Sequence, residues 1–262
     1  MDATKEIKNY PIGKVLRDIW IFTSRKLTKY RSDPGQLFFM LMRPVLLLFV
    51  FSILFAKVVS GGIGAYQEII TPGMIIFAEL SAASTVASML GADLGKNMFD
   101  RLRTMPISHV SPLAGSLLAE ILQYFLDGVA MVVLGIVMGY RPQGGFLGVL
   151  LALLLVTLFT WSASWLDTVM TLYDNAISGS MSLILMALIF LSNAFVPIKD
   201  LPVAIQVIAT VNPVTHAISA FRIIAGGGAV FNVETWITLA VSVAMLLICV
   251  PLSVRAFDRK MN

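Results

Sequence analysis

The sequence has little charge for its length. Only 13% of its 262 residues are charged and 58% are hydrophobic, and its mean hydropathy is +0.86. Soluble domains contain about 25% charged and about 45–50% apolar residues. This shortage of charge excludes an ordinary soluble domain. We therefore expect an all-α polytopic membrane protein, with the lipid bilayer as a partner and no nucleic-acid partner.

Cysteine and histidine are nearly absent. Cys249 lies alone in a hydrophobic run, which excludes a disulfide framework and predicts a small apolar filler. In the predicted topology given below, His109 and His216 lie on opposite sides of the membrane and cannot share a metal ion. Residues 91–96 lack the spacing of a phosphate-binding loop, and Asn97 stands where Ser or Thr is required. We expect this chain to have no catalytic residues, metal or bound cofactor.

Six hydrophobic runs are long enough to cross a bilayer, which takes about 20 apolar residues. They are residues 36–58, 73–92, 114–138, 146–166, 177–196 and 236–256. The predicted transmembrane domain thus covers residues 36–256, with a cytoplasmic segment 1–35 before it and a cytoplasmic tail 257–262 after it.

Residues 12–31 have apolar side chains at helical spacing, with Lys and Arg at many of the other positions. This pattern predicts a basic amphipathic helix at the membrane surface, ended by a turn at Asp33-Pro34-Gly35. Residues 1–35 are charged throughout, unlike a cleaved signal peptide.

The positive charges predict the orientation. With the N-terminus in the cytoplasm, 14 Lys and Arg residues lie on the inner side and 4 on the outer side, and Arg43 lies near the start of the first span. Both termini and the segment 93–112 are then cytoplasmic.

The segment 93–112 is the compact, charge-rich interruption between the second and third spans. Met98, Leu102 and Met105 are spaced as on one helix face, and Pro106 and Pro112 limit the helix at its C-terminal side. Two interpretations follow from the residues alone. The segment is either a solvated loop that holds positive charge in the cytoplasm or a short helix that contacts a partner.

The segment 197–235, between the fifth and sixth spans, contains two apolar pieces too short to cross a bilayer. Val203–Val211 and Thr215–Ala225 are separated by Asn212-Pro213, and three glycines follow the second piece. This pattern favours a re-entrant helical hairpin from the outer face, with a cap lying flat on the outer leaflet as the alternative. The residues singled out in it are Pro197, Pro202, Asn212, Pro213 and Arg222.

Three acidic residues fall inside the predicted spans, namely Glu79, Glu120 and Asp127. Acidic residues inside a membrane usually face protein or water. A proton or cation path is one interpretation of them, and packing inside the bundle is the other. For Glu120 we favour the bundle, with its carboxyl reaching the cytoplasmic surface.

Several segments resemble the ABC-2 type transporter permeases, especially the membrane subunits of daunorubicin-resistance exporters. The resemblance covers nearly the whole chain, including its predicted order of helices. Its motifs are Asp93 with Asp100-Arg101-Leu102-Arg103, Met105-Pro106-Ile107-Ser108, Gly115, Leu191–Pro197, Leu201-Pro202, Asn212–Thr215 and Phe221-Arg222. Asn97 and His109 depart from the family pattern.

The resemblance implies a function. It suggests that residues 93–112 are a cytoplasmic coupling helix seated in a separate ATP-binding subunit, and that residues 1–35 form an interface helix beside it. The implied assembly has two ATP-binding subunits, which bind ATP and Mg, and a second permease, identical or homologous, in a bacterial or archaeal plasma membrane. The implied coupling residues are Asp93, Met98, Phe99, Asp100, Arg101, Leu102, Arg103, Met105 and Pro106.

The family also suggests export of an amphiphilic or hydrophobic compound such as a drug or lipid-like molecule. Candidate residues along its path are Phe39, Met40, Phe77, Glu79, Asp127, Phe190 and Asn193. A lipid-linked glycan or polymer is the alternative substrate within the family. Outside it, an ion-coupled secondary transporter would use Glu79 and Asp127, whereas a membrane-embedded enzyme would need a polar catalytic cluster that is not visible.

Overall fold

The computed structural model describes residues 12–32, 34–94, 110–173 and 178–261. All regular secondary structure in these ranges is helical, as the hydrophobic runs predict. The helices are α1 (Ile12–Ser32), α2 (Pro34–Ser60), α3 (Ile63–Leu94), α4 (Val110–Val137), α5 (Gly145–Tyr173), α6 (Ser178–Phe190), α7 (Val203–Val211), α8 (Pro213–Ala225) and α9 (Val233–Met261). A single 3-10 turn, Ile198–Asp200, precedes α7.

Three helices contain a stretch that is long and apolar enough to cross a bilayer alone, namely Gly115–Val137, Gly145–Tyr173 and Val233–Ala256. Two bent pairs also qualify when each is taken together. Pro44–Ser60 and Ile63–Ser84 are bent by 119°, and α7 and α8 by 79°. The described residues therefore supply three to five candidate spans. The chain is a multi-pass membrane protein, and six separate spans stay a prediction.

The second span was predicted to begin at residue 73, but α3 begins at Ile63. Hydropathy does not predict the earlier start of α3, because the polar side chains of Gln67 and Glu68 interrupt the hydrophobic run. The fold accommodates Gln67 because its Nε2 donates a hydrogen bond to Ser52 Oγ at 2.7 Å, inside the α2–α3 contact. A buried amide with a partner costs far less than one without.

The turn predicted at Asp33-Pro34-Gly35 is also corrected. Pro34 and Gly35 form the first turn of α2, and Asp33 lies outside the described residues. Proline suits a first helical turn because its missing N–H would have no intrahelical partner there.

Helix α5 lies at the centre of the bundle and packs against α3, α4, α8 and α9. The main apolar core lies between α2, α3, α4, α5 and α8. A smaller apolar cluster, near the C-terminal end of α5, contains Leu117, Trp165, Leu172 and Cys249. Cys249 is buried in that cluster, as predicted for a small apolar filler.

The predicted interface helix, α1, packs along α4. The contact is close because Gly115 has no side chain. A Cβ atom at Gly115 would lie 2.6 Å from Phe22 Cβ and 2.7 Å from the Ile19 carbonyl oxygen. The Thr23 hydroxyl is 3.0 Å from the Gly115 carbonyl oxygen, to which it donates a hydrogen bond. Helix α1 is thus held against the first turns of α4, a few residues after segment 93–112.

We expect Gly115→Leu to push α1 away from α4, because overpacking a close contact costs about 1–3 kcal/mol. The buried Thr23 position reports the change. In a Thr23→Cys, Cys249→Ala protein, maleimide labelling of the new cysteine should be slow, and Gly115→Leu should accelerate it about tenfold.

Gly13→Leu is the matched control, because Gly13 is in α1, the helix that carries the Thr23 reporter, and a Cβ there would meet nothing within 4 Å. Equal labelling rates with Leu at position 115 and with Leu at position 13 would contradict the close contact.

Candidate functional site at a helix break

The predicted coupling residues fall largely outside the described residues. Asp93 lies in the last turn of α3, which ends at Leu94, and Pro112 lies in the first turn of α4, which begins at Val110. The predicted coupling residues outside the described part of the chain are Met98, Phe99, Asp100, Arg101, Leu102, Arg103, Met105 and Pro106. Their roles stay predictions.

The candidates for the substrate path fall into separate groups. Phe77, Glu79 and Asp127 are buried inside the bundle, and Phe77 belongs to the main apolar core. Phe190 and Asn193 lie together at the end of α6. Phe39 and Met40 are in α2, and their side chains are outside the described part of the structure.

Glu79 lies on α3, facing α4 and α5, with no solvent exposure. Its Oε1 accepts a hydrogen bond from Thr157 Oγ1 at 3.3 Å. A Cβ at Gly128 would come within 2.9 Å of the same oxygen, so this glycine leaves the space that the carboxyl occupies. Asp127 is near enough to act on Glu79 electrostatically. Glu79 Oε2 and Asp127 Oδ1 have no hydrogen-bond partner among the described residues.

Glu120 faces the bundle, as we expect for an acidic residue in a span. It is fully buried, and its Oε2 accepts a hydrogen bond of 2.7 Å from the Tyr124 hydroxyl. Its carboxyl does not reach the surface, which corrects that part of the prediction.

The fifth predicted span, residues 177–196, ends early because α6 stops at Phe190. The segment 191–197, which we call the break segment, is a series of turns and bends. Ser192 Oγ donates to the Ile189 carbonyl at 2.6 Å and accepts from the Ala194 N–H at 3.2 Å. Such local side-chain bonds replace helical ones, and Pro197 has no N–H to offer. Hydropathy does not register this, since most residues of the segment are apolar.

Arg222 on α8 holds the break segment in place. Its Nη2 donates hydrogen bonds to the carbonyl oxygens of Asn193, at 2.7 Å, and of Ile69, at 2.6 Å. One guanidinium therefore joins α8, the break segment and α3. Asn193 reinforces the junction, because its Nδ2 donates to Ser219 Oγ on α8 at 2.9 Å.

Arg222 achieves this without an acidic partner in the described part of the chain. Tyr140, in the turn between α4 and α5, is near enough to interact with it electrostatically. Burial, followed by the charge of Glu68, raises the pKa of Tyr140 to about 12. Tyr140 therefore stays neutral near pH 7. The positive charge of Arg222 is stabilised by the dipoles of the backbone carbonyls to which it donates hydrogen bonds.

Two further contacts close the junction. Asn212 donates through Nδ2 to the Leu188 carbonyl at 2.6 Å, and its Oδ1 accepts from the Val214 N–H at 2.9 Å, which caps the start of α8. A Cβ at Gly73 would lie 2.4 Å from the Ala194 carbonyl oxygen, so α3 touches the break segment directly. The predicted break at Asn212-Pro213 and the end of α8 at Gly226 match the structure.

An aromatic pocket opens beside the break segment, with a volume of about 220 Å³. Its aromatic side chains come from α2, α3, the end of α6 and the break segment: Phe51, Phe55, Tyr66, Phe190 and Phe195. Ser192, Val196 and Leu201 complete the lining. The Phe190 and Phe195 rings stack with centroids 5.0 Å apart, and the Phe51 centroid is 5.1 Å from that of Phe195.

Phe190 and Asn193 were predicted from the sequence as residues of the substrate path. The sequence did not assign Phe51, Phe55, Tyr66 or Phe195 to a site. Phe51 and Phe55 are four residues apart and so share one face of α2. That spacing is the one local signal. Their meeting with Phe195 depends on how three separate helices pack.

Comparison of the sequence with known protein families identifies the family of the chain. Residues 17–225 match the ABC-2 type transporter family. The chain belongs to the ABC-2 type transporter family. That match includes the break segment, Asn212 and Arg222, so the junction lies within the family region.

The relatives of this ABC-2 chain include two named drug-resistance permeases. It is 31% identical, over 252 residues, to a daunorubicin resistance ABC transporter permease protein of Streptomyces coeruleorubidus, covering 95% of this chain and 87% of the relative. It is 26% identical, over 215 residues, to a probable doxorubicin resistance ABC transporter permease protein of Mycobacterium tuberculosis, covering 80% and 77% of the two chains.

We expect Arg222→Met to loosen the break segment, because two buried carbonyls lose their donor at about 1–3 kcal/mol each, partly offset by removal of a buried charge. Ser192→Cys in a Cys249→Ala protein is a nearly isosteric reporter of this segment. Its reaction with a membrane-permeant maleimide should be slow, and Arg222→Met should accelerate it several-fold, with Arg222→Lys in between.

Arg141→Met is the control, since Arg141 is an exposed arginine in the α4–α5 turn. If the Ser192→Cys thiol reacts at one rate whether Met is at position 222 or at 141, Arg222 does not hold the segment.

Proposed function

We propose that this chain is the membrane-spanning permease subunit of an ATP-driven exporter of an amphiphilic or hydrophobic compound. The observation that carries the proposal is the 31% identity, over 95% of the chain, to a daunorubicin resistance permease protein. The second relative has a similar name. ATP and Mg would be bound by a separate ATP-binding subunit, and two permeases and two such subunits would form the exporter in a bacterial or archaeal plasma membrane.

The proposed route of coupling begins at residues 93–112. ATP-driven closure of the partner subunits would move this segment, whose two ends continue into α3 and α4. The α1–α4 contact at Gly115 supports the route, because it lies just after the segment and joins the predicted interface helix to α4. Movement at the cytoplasmic face would then reach the bundle along α3 and α4.

The other end of α3 supports the second half of the mechanism. Its contact at Gly73 with Ala194 and the Arg222 bond to Ile69 join α3 to the break segment. A displacement of α3 would thus shift the wall of the aromatic pocket. This would change access to the outer side while the packed core around α5 stays intact.

The proposal is tested by co-purification. The chain is tagged and expressed with a candidate ATP-binding subunit from the same genome. We expect a detergent-stable complex with ATPase activity, and we expect Leu102→Asp to abolish co-purification because a charge replaces an apolar docking side chain. Replacing Arg101 and Arg103 with Glu should uncouple ATP hydrolysis from transport, because both positive charges are reversed, while membrane insertion persists.

Val203→Asp is the matched control, since it introduces the same charge on α7, at the predicted outer side, where Val203 is 77% exposed. It should leave the complex intact. Unchanged transport in both the Leu102→Asp variant and the Arg101→Glu, Arg103→Glu variant would contradict the coupling role of residues 93–112. A chain that purifies alone and moves solute without ATP would instead favour an ion-coupled transporter, for which buried Glu79 and Asp127 are the residues to replace.

A further inference from the structure

Two buried acidic residues take no part in the proposed coupling route. Asp127 lies near the middle of the candidate span Gly115–Val137, and Glu79 lies beside that span on α3. Glu79 is fully buried and Asp127 is 3% exposed. Neither carboxyl forms an ion pair with Lys or Arg in the described part of the chain. Because an uncompensated carboxylate is costly inside a bilayer, this pair needs a positive charge close to it.

Oxygen atoms without hydrogen-bond partners lie around the Glu79 carboxyl. Among the described residues, Glu79 Oε2, Asp127 Oδ1 and Thr160 Oγ1 are all buried and have no partner. Thr160, on α5, lies beside the Glu79 carboxyl, and Asp127 is near enough to repel it. Buried polar atoms normally have partners, above all inside a bilayer. Since one of the three oxygens belongs to a neutral hydroxyl, the set indicates a small bound partner rather than an acidic pair alone.

The separation of two of the oxygens suits a cation of the size of sodium. Thr157 Oγ1 is 3.3 Å from Glu79 Oε1, which is longer than the usual hydroxyl hydrogen bond of about 2.7–2.8 Å. Ca²⁺, whose ionic radius is close to that of Na⁺, binds oxygen ligands at about 2.3–2.6 Å. Two ligands at right angles around such an ion are about 3.3–3.7 Å apart, whereas Mg²⁺, at about 2.0–2.1 Å from its ligands, needs about 2.9 Å.

The oxygen atoms and the space around them select among cations. The described residues bring no three His, Cys, Asp or Glu side chains together, which disfavours a transition metal. Ca²⁺ takes about six to eight oxygen ligands. The two Glu79 oxygens, Asp127 Oδ1 and the two threonine hydroxyls fall short of that number. An organic ammonium has no room, because even a Cβ at Gly128 would lie 2.9 Å from Glu79 Oε1 and 2.8 Å from Leu153.

We propose a buried binding site for one Na⁺ ion, formed by the side chains of Glu79, Asp127, Thr157 and Thr160. The ion joins α3, α4 and α5 inside the bundle. Because one Na⁺ compensates only one of two adjacent carboxylates, we expect one proton to be bound with it. The prediction of no metal rested on the scarcity of Cys and His, whereas Na⁺ needs only oxygen ligands. The site does not depend on the proposed function, although α3 and α4 are the helices of the proposed coupling route.

The test measures the binding of radioactive Na⁺ to the full chain in phosphatidylcholine nanodiscs, with choline chloride holding the ionic strength constant. Binding should saturate at one Na⁺ per chain above the level of empty nanodiscs. Unlabelled Na⁺ should displace the label at a lower concentration than K⁺ or Ca²⁺. Glu79→Gln should abolish saturable binding, because it removes a charged ligand. No saturable binding by the wild type, or displacement by Ca²⁺ at a lower concentration than by Na⁺, would overturn the inference.

Thr160→Val keeps both carboxyls and the shape of the side chain but removes one oxygen. We expect the Kd for Na⁺ to rise at least tenfold, since loss of a mere hydrogen-bond partner of a metal ligand already costs about 10–100-fold in affinity. Thr168→Val is the matched control, because Thr168 is also buried on α5 and its hydroxyl donates to the Ser164 carbonyl at 2.8 Å. It should leave the Kd unchanged. An equal rise in both variants would contradict the site.

Thermal unfolding separates loss of the site from loss of the fold. Na⁺ at ten times its Kd should raise the wild-type Tm by about 3–6 °C over choline. Glu79→Gln should stay folded in choline and show no Na⁺ shift. Glu120→Gln is its control, since Glu120 is equally buried but accepts a bond from Tyr124, and it should keep the full shift. A wild-type Tm that responds to pH but not to Na⁺ would assign only protons to the pair and overturn the inference.

Discussion

Backbone groups inside a bilayer have no water to bind, so a helix cannot stop there unless protein atoms take over its hydrogen bonds. The break segment, between the apolar helices α6 and α8, is one place where this constraint applies. Arg222 supplies donors to the Asn193 and Ile69 carbonyls, and Ser192 bonds the last turn of α6. Asn212 supplies a donor to Leu188 from the hairpin. These bonds join α3, α6 and α8 in addition to the apolar contacts between them.

The choice of arginine fits this role. A guanidinium is planar, carries several fixed N–H donors and is less strongly hydrated than an ammonium. It can therefore serve two carbonyl oxygens from one nitrogen while its side chain is partly buried. A buried charge without an acidic partner is normally costly. At the break segment, backbone carbonyls lack helical hydrogen-bond donors, and their dipoles offset part of that cost. The carbonyls thus stabilise the arginine charge, and the arginine supplies the donors that the carbonyls lack.

Much of the fold could be predicted from the sequence, because hydrophobic runs and proline or glycine breaks are local signals. Helices α7 and α8 lie on either side of the predicted Asn212-Pro213 break, and α8 ends at the first of the three glycines. The early end of α6 could not be predicted by hydropathy, since Leu191, Ala194 and Phe195 are as apolar as the helix before them. Part of the candidate site could also be predicted from the sequence. Asn193 and Arg222 were named from motifs and Phe190 as a lining candidate of the fifth span, but Phe51 and Tyr66 reach the site only through tertiary packing.

The Arg222 bond to Asn193 also affects how the chain is made. The two residues are 29 positions apart, and a ribosome adding about 5–20 residues per second needs roughly 1.5–6 s to pass from one to the other. During that time the carbonyls of the break segment have no guanidinium. The bond between Arg222 and Asn193 can therefore form only after α8 has been synthesised.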